Sequence, residues 1–281
     1  MFMVVFSTYR YTSLSWRQQW RGSSDFNGML AGFFDNILTT VRMPLLHGRL
    51  PSIFNGYRDR VRDHLNAIDP ANFPRFGRNN IAISDIFVQM YRFEGNRRLV
   101  HLQFTCNDGA HQSLTETYSI TFVLLIHQVS PAEHNFTEKP TLQQWLSSYF
   151  RSIENNFPQC RTCYAPYLRS SLSFTPLPWI WIDIPPDYDQ RFVPSTRLTF
   201  RQHSGPNIYY ALIGVVYAGG EHFSARWRDA SGKWWAYDGM ANSGQPSLDP
   251  ITDDAQLTSL GPRVMHILLY RLDTNDFTGS S

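Results

Sequence analysis

Two groups of residues in this chain have the types and the spacing for chemistry. The first is a histidine and an aspartate 16 positions apart, His222 and Asp238. They sit in the runs Tyr209-Tyr-Ala-Leu-Ile-Gly-Val-Val-Tyr-Ala-Gly-Gly-Glu-His222-Phe-Ser-Ala-Arg-Trp and Gly232-Lys-Trp-Trp-Ala-Tyr237-Asp238-Gly-Met. A carboxylate that accepts an imidazole N–H fixes the tautomer of the ring and stabilises its protonated form, which is the base-and-orienter half of a nucleophilic triad. A purely structural His–Asp pair would use the same residues, and spacing alone does not separate the two uses. The second group is Cys160-Arg-Thr-Cys163. A C-x-x-C step supplies two ligands of a tetrahedral zinc site; a redox use is disfavoured, because no βαβ pattern surrounds it.

Positioning His222 against Asp238 needs strands. The apolar run 209–217 reads as a buried strand that ends in the Gly219-Gly220 turn; His222 opens the next strand and Asp238 closes a third. Two hairpin-linked strands set such residues side by side. Further strands are expected at 179–184, 223–227, 234–237 and 264–271, and period-two alternation starts at Arg97, followed by a β-rich run over 118–126. Within Trp179-Ile-Trp-Ile, alternation puts both tryptophans on one face and both isoleucines on the other, as a strand buried on two sides requires. The first third differs. Leu30, Phe33, Phe34, Ile37 and Leu38 recur at helical spacing, as do Val61, Leu65 and Ile68, and Ser84 is a candidate N-cap for a segment reaching Tyr91. One helix interrupts the strands over 141–153, with Thr141 as N-cap and Leu142, Trp145, Leu146, Tyr149 and Ile153 as its apolar stripe. Helices first and strands afterwards give an α+β fold.

Composition bounds the partners. At 281 residues the chain is long enough to bury a core without staples. A formal net charge of +2 with 17% charged residues does not suit a protein that binds nucleic acid by neutralising phosphates. The apolar run Val123 to Ile126 is far short of the ~20 residues that cross a bilayer. Three cysteines cannot form a disulfide framework, which favours a reducing, intracellular setting, cytoplasmic or nuclear.

The block Tyr-x-Leu-x-x-Val-Val-Tyr, a Gly-Gly turn, His-Phe-x-Ala-Arg and then Gly-Lys-Trp-x-x-Tyr-Asp resembles the histidine box of ubiquitin-specific proteases, papain-like thiol enzymes that cut after the C-terminal glycine of ubiquitin. Phe76-Gly-Arg-Asn-Asn-x-Ala-Ile-Ser84-Asp85-Ile-Phe, Leu177-Pro-Trp-Ile-Trp-Ile-Asp-Ile and Val264-Met-His-Ile-Leu-Leu-Tyr-Arg resemble further segments of that family, so the likeness runs from about Phe26 to Arg271. It implies a single domain with a papain-like cysteine proteinase fold: a helical thumb lobe over 25–95, β fingers with one helix over 96–175 and an antiparallel β palm over 176–275. It also implies His222 as general base and Asp238 as its orienting carboxylate. Gly219, Gly220 and Glu221 would form the loop beside the channel for the Gly-Gly tail of ubiquitin or a ubiquitin-like protein.

The chain departs from the family in two places. The family's nucleophile sits in an Asn-Thr-Cys-Tyr-like box at a helix start, where the thiol pKa is lowered. These residues contain no such box, the first cysteine being Cys106, and the chain is expected to begin just after it. Glu221 precedes the base where the family has glycine. The expected function is therefore that of a ubiquitin-specific-protease-like domain, with deubiquitination as the family's activity and this chain inactive for want of the thiol; the alternative is a binding module for ubiquitin-like proteins. The resemblance also completes the metal set. The family carries two cysteine pairs on its fingers; here Cys106 remains, Gly109 stands where its mate would be, and His111 follows. Cys106, His111, Cys160 and Cys163 make a Cys₃His zinc set, against an eroded site with unligated thiols. No other cofactor is expected.

Overall fold

The computed structural model describes residues 53–71, 73–75, 98–106, 116–121, 123–125, 138–155, 163–164, 167–177, 179–184, 192–202, 205–220, 222–229, 231–238, 240–242 and 246–273, with a few separate positions elsewhere. The expected helical segment over 84–91 lies outside the described residues; within 30–38 only Ala31, Gly32 and Asp35 are described, all three helical, with Ala31 buried. The chain divides into two compact units, Asn96–Val215 with Ile251–Ser281, and Met1–Gly95 with Val216–Pro250. Each has its own internal logic.

Among its described residues, the first of these units holds a three-stranded sheet, part of a second sheet and a helix. Strands β1 (Arg98–Cys106), β2 (Glu116–Thr121) and β4 (Tyr167–Phe174) form an antiparallel sheet in the order β2-β1-β4, with Val100 fully buried. The run expected as one strand over 118–126 is two. β2 pairs with β1, and β3 (Val123–Leu125) leaves to lie parallel to β5 (Trp179–Asp183), Val123 opposite Trp181. No glycine or proline marks that change of partner, so the sequence shows one apolar run. In the second sheet β5 lies between β3 and β12 (Arg263–Leu272), which adjoins β7 (Ile208–Gly219). The sheet is mostly antiparallel. Trp179, Ile180, Trp181 and Ile182 are all buried, as a strand packed on both faces demands, and the tryptophans therefore serve the core. β6 (Arg197–Phe200) pairs with the start of β7, and β11 (Ser259–Leu260) forms a hairpin with β12 after a 3₁₀ turn over Asp254–Thr258.

Helix α2 (Leu142–Asn155) starts where its cap predicts. The Thr141 hydroxyl accepts from the Gln144 N–H (3.2 Å) while the Gln144 side chain accepts from the Thr141 N–H (2.8 Å), a complete capping box. A further helix N–H, that of Gln143, donates to Ser195 Oγ at 3.0 Å, and the Tyr270 hydroxyl donates to the Ser195 carbonyl at 2.8 Å. Leu142, Trp145, Leu146 and Phe150 carry the buried stripe; Tyr149 is half-buried, and the Ile153 side chain lies outside the described ones. Phe150, Phe174, Phe200 and Tyr210 continue it as a chain of ring contacts, with centroids 4.8 to 5.5 Å apart between successive members. Such contacts add to the area each ring buries.

In the other unit, α1 (Ile53–Ile68) buries Val61 and Leu65 as its spacing predicts. Ile68 departs from that pattern at 39% exposure, because the helix ends on it: Pro70 follows, the Asp69 N–H closes on the Leu65 carbonyl, and Phe73 is buried instead. The remainder is a β meander: the end of β7, then β8 (His222–Arg228), β9 (Trp234–Asp238) and β10 (Ser247–Leu248), antiparallel through β8–β9 and β9–β10. The β8–β9 turn is organised by Asp229. Its carboxylate accepts from Ser231 N (2.8 Å), Ser231 Oγ (2.7 Å), Lys233 N (3.0 Å) and Trp235 Nε1 (2.9 Å). Partial burial raises its pKa, but these donors prevail and hold the carboxyl below its ordinary range.

Candidate functional site

The β8–β9 hairpin sets the register of the site. Ser224 stands opposite Asp238, so His222, two residues earlier on the same face, lies on the diagonal within side-chain reach. His222 Nε2 is 2.7 Å from Asp238 Oδ1. The same oxygen accepts from the Met240 N–H at 3.0 Å, which pins the carboxylate at the strand end. An ionised carboxylate only accepts, so Nε2 carries the hydrogen and the neutral ring keeps Nδ1 as its basic nitrogen. Among the described residues Nδ1 has no hydrogen-bond partner. The pair is partly solvent-accessible, at 25% and 20% for the two side chains, and the side chains of Phe223 and Met240, next to it in sequence, are exposed. An imidazole oriented in this way can take a proton from a group brought to Nδ1, and the carboxylate then stabilises the imidazolium.

The turn before His222 is built on glycine for conformation. Gly220 has φ +60°, and a Cβ there would meet nothing within 4 Å, so the space beside it is open. Gly219 is the last residue of β7. Glu221 lies outside the described residues.

One feature of this hairpin escaped the sequence. Arg226, on the same face of β8 as His222 and Ser224, is only 8% exposed. Its Nε donates to Asp249 Oδ2 at 2.6 Å and Nη1 to the Tyr217 hydroxyl at 3.0 Å. Burial raises the Tyr217 phenol pKa, and the Arg226 charge opposes that rise. The arginine was visible in His-Phe-x-Ala-Arg, and a charge between Ala225 and Trp227 in mid-strand signals a buried partner; Asp249, outside every motif, gave no sign.

Of the expected zinc ligands, Cys106 ends β1, where it stands opposite Tyr167 at the start of β4, and Cys163 is half-buried in a turn shortly before β4. His111, Cys160 and the Cys106 side chain lie outside the described residues. His266 Nδ1 is 3.0 Å from the Ile184 carbonyl, in keeping with a structural role.

No protein-family model matches the chain, and no curated protein matches it. Solved structures do. A chain of the SAGA Ubp8/Sgf11/Sus1/Sgf73 DUB module bound to ubiquitin aldehyde matches at 14% identity over 88% of this chain and 59% of that one, with a TM-score of 0.51. A chain of the SAGA DUB module with a Cys-to-Ala Ubp8, bound to monoubiquitin, matches at 14% over 97% and 64%, TM-score 0.53. One from the module with a Ser-to-Asn Ubp8 and a shortened Sgf11 matches at 16% over 97% and 64%, TM-score 0.51. The likeness is one of fold: at a coarse level this chain has a ubiquitin-specific-protease-like fold, mostly antiparallel sheet with helices. It spans less than two thirds of the length of each of these chains. Among the described residues no helix is long and apolar enough to cross a membrane.

Proposed function

We propose that this chain is a ubiquitin-specific-protease-like domain that holds ubiquitin or a ubiquitin-like protein and carries the base half of a thiol hydrolase centre without the thiol. The 2.7 Å bond from His222 Nε2 to Asp238, with Nδ1 left as the acceptor, carries the reading. In a thiol hydrolase that nitrogen takes the S–H proton, the thiolate attacks the carbonyl, and the imidazolium returns the proton to the leaving amine. The shared fold, and the ubiquitin aldehyde and monoubiquitin bound in the neighbouring structures, support the choice of partner. The open space at Gly220 supports a loop that an extended Gly-Gly tail approaches, with Gly219 and Glu221 beside it. None of Cys106, Cys160 and Cys163 lies in a nucleophile box, so the 281 residues bind without cleaving. Helical lobe, fingers and palm over 25–95, 96–175 and 176–275 complete the papain-like reading, in an intracellular setting, cytoplasmic or nuclear.

Zinc fits the fingers part of this reading. Cys106 at the end of β1, opposite Tyr167 of β4, and Cys163 shortly before β4 support this reading, and His111 and Cys160 would complete the set. These four would hold the metal as a closed structural site.

The test uses immobilised monoubiquitin and a ubiquitin carrying an electrophile at its C-terminus. Saturable binding of the chain, with no covalent adduct, is expected. Absence of binding overturns the partner; labelling of Cys106, Cys160 or Cys163 overturns the inactivity.

A further inference from the structure

A cavity of about 500 Å³ opens between α2 and β6, within a single unit and away from every motif discussed so far. Its floor is apolar: Leu146, Phe150, Phe174, Leu198 and Phe200 are buried side chains that line it. Among the described residues, the charged ones that line it are Arg151 and Arg201, both exposed. Among the described residues neither guanidinium has an ion-pair or hydrogen-bond partner, and no carboxylate lines the cavity. The volume falls within the range that holds a small ligand or a few peptide residues.

The wall formed by β6 adds a second, independent observation. Among the described residues β6 pairs with one strand, β7. On its other side, Gln143 of α2 presents its carboxamide to the strand as a neighbouring peptide group would: Oε1 accepts from the Thr199 N–H (2.6 Å) and Nε2 donates to the Thr199 carbonyl (3.2 Å). In an antiparallel ladder alternate residues point their backbone groups to the same side, and β6 ends at Phe200, so the chain that runs on through Arg201 and Gln202 along the cavity wall carries the next backbone groups past Thr199. An extended backbone placed there continues the pairing that the Gln143 amide begins.

We infer that this cavity receives an extended segment of a partner protein in which an acidic residue stands beside a large apolar one. The segment's backbone pairs with the chain that runs on from β6 past Thr199, at Arg201 and Gln202. Its apolar side chain covers the Phe150 and Phe200 rings, and its carboxylate meets the Arg151 and Arg201 guanidinium groups, which suit bidentate recognition of that group. The inference does not depend on ubiquitin or on His222, so the two readings stand or fall separately.

The whole 281-residue chain is panned against a phage-displayed random dodecapeptide library. Enriched peptides are expected to carry Asp or Glu within two residues of Leu, Phe, Met or Trp. For a fluorescein-labelled peptide from that pool, the Arg151→Glu and Arg201→Glu variants should each weaken binding about tenfold. Both arginines are exposed, so the variants should melt like the parent chain. Methylating the peptide's backbone nitrogens should also abolish binding. Enrichment of no acidic–apolar pattern overturns the inference, as does unchanged affinity for the Arg151→Glu and Arg201→Glu variants. If the N-methylated peptide binds as well as its parent, the site takes a carboxylate without strand pairing, and the peptide reading falls.

Discussion

Asp249 is where a single side chain carries most weight without belonging to any motif. It neutralises Arg226, whose guanidinium lies on the same face of β8 as His222. Removing one partner of a largely buried pair leaves the other charge uncompensated, which costs more than the pair itself contributes. Asp249 keeps 21% of its side-chain exposure, so water softens that loss. Asp249→Ala is expected to lower unfolding stability by about 2 kcal/mol in urea titration. Adding Arg226→Met to it should restore part of the loss, since the stranded charge goes too. A double variant no more stable than Asp249→Ala would show that Arg226 is solvated and that Asp249 acts by some other contact. The contrast with His222 and Asp238 explains what was legible at this scale. Those two are joined by one hairpin and framed by a glycine turn and a strand end, so local sequence locates both. Asp249 reaches Arg226 from beyond β9, and only the folded meander brings it there.

Elements were legible where local chemistry and tertiary packing agree. α2 carries Thr141 and Gln144 for its cap and an apolar stripe at helical spacing, and the helix begins within one residue of the predicted start. β4 was missed because Tyr-Leu-Arg-Ser-Ser-Leu-Ser-Phe has serines where β-branched residues would announce a strand; its pairing with β1 decides its conformation. That pairing is also what the proposed zinc site would brace, since Cys106 and Cys163 lie toward one end of it. About one zinc per chain is expected by elemental analysis of protein purified without chelator. Cys160→Ser should lower that content and speed amide exchange in β1 and β4, while leaving the buried Trp179-Ile-Trp-Ile segment of β5 as protected as before. Metal-free protein with unchanged exchange would instead identify the Cys160-Arg-Thr-Cys163 step as a pair of unligated thiols.

At the scale of the whole molecule, the chain enters each compact unit twice, passing from one to the other after residues 95, 215 and 250. No composition shift marks those passages, because β7 runs as one apolar strand across the second of them, and a linear reading of helices followed by strands has no means of finding it. The α2–β6 cavity was hidden for the same reason: Gln143 and Thr199 are 56 positions apart and meet only in the fold. Two binding regions with separate residues lead to a prediction that neither implies alone. Hydrogen exchange with monoubiquitin is expected to slow amides around the β7–β8 turn and the end of β9, and the acidic–apolar peptide should slow those of 143–151 and 197–202. Each ligand then leaves the other's footprint at its free-state rate, because no residue is shared. A peptide footprint that fell on 219–240 would place both ligands at the histidine hairpin, and the α2–β6 cavity would then be a structural void beside a strand edge already satisfied by Gln143.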